Sequence, residues 1–281
     1  MLECESRIHL CGALTVRIMG ERLEHDLPGR QGRLLFAFLA SQQGRSVTRS
    51  DMVKLLWNGA PPNDPDTALA AFLAKLRKAL SKDYLTGKQD VRLVFPPSTW
   101  VDLDVVWSCL HRAEAAVHQQ DWAGAWASSQ SVAHISARAF MPGFDGPWVE
   151  EVRAKLMDAQ LRANECLAAS GLHLGGLELQ TAERAAGRAM AASPYRESSC
   201  ALLLQILASR GNRAEALHLY EAMRTLLREE LGWRPAKACR KCIGTCYTTR
   251  PSLDRTRLHE QQVSEGCPSS NGLKPMSQSL L

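Results

Sequence analysis

Side chains able to act as acids, bases, nucleophiles or metal ligands are plentiful in this chain of 281 residues, but few stand at spacings that let them converge. Glu150-Glu151 and Glu229-Glu230 are adjacent in sequence, so on a helix they point in different directions and suit solvated surface better than acid–base work. His111, His118, His134, His173 and His218 are isolated and read as structural. No glycine-rich phosphate loop is found, so no nucleotide-hydrolysing module is expected. The one cluster with ligand spacing is Cys239-x2-Cys242-x3-Cys246, followed by His259 and Cys267, since thiolates so spaced can share a tetrahedral zinc ion. The chain from Arg250 onward is rich in Ser, Pro, Gln and Arg without periodicity, which is the composition of disorder rather than of a metal centre. The expectation is therefore no enzyme activity, no cofactor and no metal.

What remains is chemistry of charge. Residues 1–100 hold 14 Lys/Arg against 10 Asp/Glu, residues 101–231 hold 12 against 16, and residues 232–281 hold 8 against 3. A basic head on an acidic body points the head toward a polyanion, and the positions of the cations matter more than the modest excess. Lys75, Arg77, Lys78 and Lys82 lie close together, with Lys88 and Arg92 just beyond and Arg49 upstream. Cations on one face bind duplex backbone because neutralised phosphates release their counterions.

The elements that must hold them follow from periodicity. Ile8 to Val16 and Ile18 alternate apolar with polar residues between Gly12 and Gly20, as short strands do. From Gly32 the period turns helical through Leu34, Leu35, Phe38 and Leu39, ending near Gly44. Thr48-Arg49-Ser50-Asp51 is a capping box opening a short second helix. Asp64-Pro65-Asp66 opens a third, whose Leu69, Leu73, Leu76 and Leu80 make an apolar stripe with the cations on or beside the other face. A hairpin from Tyr84 to Phe95 turns at Gly87. Strands, three helices and a hairpin describe a winged helix, in which the third helix enters the major groove and the hairpin touches backbone.

Past FPPSTWVDLD, where Pro96-Pro97 stops the hairpin, everything to Leu231 reads as helix: 102–118, 121–137, 147–169, 179–192, 196–209 and 212–231. Gly211 to Leu217 with Tyr220 has the spacing of a tetratricopeptide-type first helix, and Asp121 to Trp126 repeats part of it; a plain Ala-rich bundle is the alternative. Size suits two domains, and neither a secretion signal nor an apolar run of roughly 20 residues is present, so a cytoplasmic protein without membrane attachment is expected. The fold class expected is α+β, an N-terminal winged helix-turn-helix domain and a C-terminal all-α tetratricopeptide-like domain.

Residues 7–100 resemble the OmpR-type DNA-binding domain of the SARP regulators in LTVRIMG, RLLFAFLASQQGRSVTRSDMVKLLW and LAAFLAKLRKAL. Residues 101–231 resemble the bacterial transcriptional activation domain of the same family in VDLD, HRAEAAV, DWAGAWASS, PWVEE and RGNRAEALHLYEAMRTLLREELG. The resemblance implies a promoter-binding activator, with residues 1–98 on DNA, residues 101–232 for activation, a homodimer, and contact with RNA polymerase. The DNA-contacting set expected is Arg49, Thr67, Lys75, Arg77, Lys78, Lys82, Lys88 and Arg92. Ala70, Ala71 and Ala74 depart from the family, which often has polar or basic residues there, so base readout loses partners and shape readout gains weight. The rival reading is a protein-interaction scaffold without DNA binding.

The resemblance stops after Pro235, where the family continues into a final amphipathic helix. Shifting the reading frame across Ala238 to Tyr247 permits an amphipathic segment, so residues 233–281 are expected to be a disordered tail or the product of a frameshift.

Overall fold

The computed structural model describes residues 6–81 and 83–248. Alternating burial of Ile8, Val16 and Ile18 makes β1 (Arg7–His9), β2 (Thr15–Ile18) and β3 (Glu21–Arg22) an antiparallel run. A late strand, β7 (Trp100–Val101), joins it parallel to β1, giving the order β3-β2-β1-β7. Between them lie α1 (Gly29–Ser41), β4 (Val47–Thr48), α2 (Arg49–Trp57), α3 (Pro65–Leu80) and the hairpin of β5 (Leu85–Thr86) and β6 (Asp90–Leu93), with β4 pairing β6 in a second sheet.

Local chemistry sets these boundaries. The Thr48 hydroxyl accepts the Asp51 N–H at 3.2 Å, and Asp64 accepts the Thr67 N–H at 3.0 Å ahead of Pro65, so orphan donors at both helix starts are satisfied. Gly87 holds φ +89° in the hairpin turn, where a Cβ would sit 1.9 Å from the Asp90 carbonyl oxygen.

Seven helices follow among the described residues: α4 (Asp102–His118), α5 (Trp122–Ser136), α6 (Pro147–Leu174), α7 (Glu178–Ala192), α8 (Glu197–Ser209), α9 (Arg213–Leu231) and α10 (Lys237–Thr248). The sequence expectation ends α6 near residue 169 and treats Gly171 as part of the stop; instead α6 runs five residues further, to Leu174. Gly171 is a contact point, for a Cβ there would lie 2.6 Å from the Trp126 ring and 2.7 Å from Ala182 Cβ. Absence of a side chain lets α5, α6 and α7 approach, and Ala182, Ala185, Ala186 and Ala189 line that seam fully buried.

One hydrophobic core runs from Ile8 to Ala163 and takes in both sheets, α1 to α3 and the helices α4 to α6. Phe36 meets Phe95, and Trp148 of α6 packs edge-on against Phe38 and Phe140. Asp102, expected only to open a helix, is wholly buried at this junction. Its Oδ2 accepts the N–H groups of Leu10 and Cys11 at 2.8 Å each, and Oδ1 accepts that of Leu103 at 2.9 Å. Backbone bonds from Gly12 to Ala139 and from Met141 to Leu10 close the same joint.

Residues 237–248 form a helix, where disorder is one of the two expectations for the tail. Cys239 and Ile243 are buried with Cys200, Leu204 and Leu227, and Cys239 Sγ donates to the Glu197 carbonyl at 3.5 Å. Cys239, Cys242 and Ile243 recur at i, i+3 and i+4, the spacing of an apolar stripe that a metal reading of the cysteines obscures. Among the described residues no group of three or more His, Cys, Asp or Glu is placed to hold a metal ion. Residues 249–281, with His259 and Cys267, lie outside the described residues, as does the side chain of Cys246.

Candidate nucleic-acid interface

Helix α3 has two chemically distinct faces because its leucines recur at i, i+4, i+7 and i+11. Leu69, Leu73, Leu76 and Leu80 are essentially fully buried. On the opposite side Thr67, Ala71, Ala74 and Lys78 repeat the same spacing as an exposed stripe, with Ala70 and Lys75 exposed at its flanks. Thus the outward face is short-chained in its middle and cationic toward its C-terminal end. Lys75 and Lys78 border a groove of about 1130 Å³ between α3, the β2–β3 turn and the start of α1, which Phe72 and Tyr84 also line. Neither lysine takes an ion-pair partner among the described residues.

The hairpin stands beside this face and presents Lys88 and Arg92, both exposed. Two of the expected DNA contacts are engaged within the protein instead. Arg49, the first residue of α2, places Nε 3.1 Å from Asp66 Oδ1, donates from Nη2 to the Asp66 carbonyl at 2.9 Å, and donates from Nη1 to the Lys88 carbonyl at 3.3 Å. Arg77 lies to one side of the α3 stripe, half-buried, and donates from Nε to the Leu85 carbonyl at 3.3 Å and from Nη2 to the Gly87 carbonyl at 2.6 Å. Lys82 lies outside the described residues.

Thr67 sits at the N-terminal end of the stripe, where hydrogen bonds from its hydroxyl and its N–H hold the fully exposed Asp64 carboxyl below its ordinary range. Thr67, Lys75, Lys78, Lys88 and Arg92 are thus exposed on α3 and the hairpin, while Arg49 and Arg77 direct their donors at protein acceptors as braces. Sequence reasoning did not single out Asp66 as a partner or the hairpin carbonyls as acceptors. No linear signal marks either, since Arg49 and Asp66 are 17 residues apart on different helices.

A family model for the bacterial transcriptional activator domain matches residues 101–244, past the point where the resemblance read from sequence ends, and through most of α10. The chain is 27% identical over 205 residues to the regulatory protein AfsR of Streptomyces griseus, covering 73% of this chain and 21% of that protein. It is 29% identical over 237 residues to AfsR of Streptomyces coelicolor, covering 83% and 23%. The transcriptional regulator RedD of Streptomyces coelicolor is 27% identical over 233 residues, covering 74% and 61%. The chain therefore spans less than two thirds of the length of each of these relatives. Among solved structures, Mycobacterium tuberculosis EmbR, in complex with a low affinity phosphopeptide, superposes with a TM-score of 0.68 at 20% identity, covering 92% of this chain and 69% of that one. At that identity the likeness speaks to the fold.

Proposed function

The chain belongs to the family carrying the bacterial transcriptional activator domain, as a transcriptional regulator of the SARP type, and from that premise we propose that it binds promoter DNA and activates transcription. On this reading residues 1–98 are an OmpR-type winged-helix domain, with α3 in the major groove and the β5–β6 hairpin as the wing. Residues 101–232 are a tetratricopeptide-like activation domain, which contacts RNA polymerase and supports a homodimer in the cytoplasm. No helix among the described residues is long and apolar enough to cross a membrane.

The observation that carries the reading is the exposed stripe of α3 together with an exposed cationic hairpin tied to that helix, the two elements a winged helix uses on a groove and its flanking backbone. Thr67, Lys75 and Lys78 then face the groove and its phosphates, while Lys88 and Arg92 serve the wing. Because Ala70, Ala71 and Ala74 offer no donor or acceptor, discrimination between bases rests on the shape and deformability of the duplex more than on paired hydrogen bonds.

Binding of the full chain to duplex DNA across a salt titration tests this directly. Affinity should fall linearly in log–log form as salt rises, and the charge-reversed pair Lys75→Glu, Lys78→Glu should abolish binding with the helical spectrum intact. Undetectable binding by the parent at low salt would favour a protein-interaction scaffold instead.

A further inference from the structure

A hairpin whose strands are two and four residues long does not hold its own orientation in water. In this protein β4 pairs β6 and Leu85, Val91 and Leu93 anchor the strands in the core, while the turn beyond them is gripped from two sides. The carbonyls of Leu85 and Gly87 accept the fork of Arg77 from the C-terminal half of α3, and the carbonyl of Lys88 accepts Arg49 from the start of α2. Arg49 is itself held by both the carboxylate and the carbonyl of Asp66 in the first turn of α3. The guanidinium suits this task because it is planar, stays charged, and offers several donors in a fixed fork. Both ends of α3 are thereby tied to one hairpin turn, by groups whose donors are directed at protein acceptors.

We propose that Arg49 and Arg77 are positioning residues that lock the hairpin at a set distance and angle from the exposed stripe of α3. Their charge still adds to the positive field, but their donors preset the wing. Lys88 and Arg92 then reach the backbone without an ordering step on binding, which raises affinity through preorganisation. In its functional half this inference rests on the duplex-binding reading above.

Hydrogen exchange of the full chain, without DNA, tests the lock itself. In Arg49→Lys and Arg77→Lys, which keep the charge and lose the fork, amides of residues 85–93 should exchange about tenfold faster, with the rest of the chain unchanged. Lys78→Ala, on the same helix and without a partner among the described residues, should leave them as they are. With a mixed-sequence duplex, Arg77→Lys should bind about tenfold more weakly at an unchanged salt slope, whereas Lys78→Ala should lower that slope by about 0.9. Hydroxyl-radical protection by the hairpin should fade in Arg77→Lys while protection by α3 persists. An Arg77→Lys variant with parental hairpin exchange and parental affinity would overturn the proposal, for then a point charge suffices at that position. Should the parent bind no duplex at all, the duplex-binding reading falls, and the exchange data alone decide whether the lock exists.

Discussion

Two carboxylates join separate regions of this molecule, and the protein shifts them in opposite directions. Asp102, between the first strand and α4, is pushed above its ordinary range because burial outweighs the three backbone N–H groups and the nearby His9 that favour its charge. Glu165, between α6 and the start of α8, is also partly buried, yet hydrogen bonds from Ser198, Arg196 and Ser199 hold it below the ordinary range. The Arg196 guanidinium grips both Glu165 oxygens, at 2.9 and 2.8 Å. A cationic fork joined by hydroxyls compensates lost hydration where neutral amides alone do not. Asp102 thus acts as a geometric anchor for backbone, and Glu165 as a charged staple between helices.

Removing the anchor should have the largest effect. Asp102→Ala leaves three N–H groups without their acceptor in the core, and chemical denaturation should show a loss of about 4 kcal/mol. Glu165→Ala should cost less, about 2 kcal/mol by the same measurement, because the Arg196 side chain it releases is 38% exposed and can regain water. Equal losses would break the distinction between anchor and staple.

The pH dependence should separate the two more sharply than the magnitudes. A carboxylate whose pKa rises on folding contributes stability that is full below the unfolded value and lost as pH climbs through the folded one. One whose pKa falls on folding contributes stability present above the unfolded value and lost as pH drops through the folded one. Stability curves should therefore lose a downward slope above the ordinary aspartate range in Asp102→Asn, and an upward slope below the ordinary glutamate range in Glu165→Gln, each measured against the parent. Slopes of the same sign in both would show that the environments are alike.

The smallest expected effect concerns the α5–α6–α7 seam near Glu165. Gly171→Ala puts a methyl 2.6 Å from the Trp126 ring and 2.7 Å from Ala182 Cβ, so the ring must turn and α7 must draw back, and thermal unfolding should register a loss of about 1.5 kcal/mol. A neutral outcome would mean that the seam is looser than the core that runs from Ile8 to Ala163, where Phe36 and Phe140 are fully buried.

Much of the architecture is legible in the residues because it is local. The alternation at Ile8 to Ile18, the Thr48 and Asp64 caps and the leucine stripe of α3 each depend on neighbours within one turn or one pleat, so periodicity reveals them. Gly171 misleads for the same reason. Glycine in a helical run has the local signature of a stop, and only the ring of Trp126 and the methyl of Ala182, brought in from other helices, give it a packing role. The spacing of Cys239 and Cys242 serves an apolar stripe and a ligand set alike, and only packing from other helices shows that Cys239 lies buried among apolar side chains.

The candidate interface divides in the same way. The sequence alone determined which face of α3 is apolar, which cations lie near its other face, and that a glycine turn follows, because side-chain direction on a helix is set by residue spacing. Tertiary structure alone decided that Arg49 and Arg77 point at hairpin carbonyls while Lys75 and Lys78 stay in solvent, and that Asp102 is sealed between strand and helix. A cation at a given register has many acceptors within reach, and which one it takes depends on groups that only folding brings close.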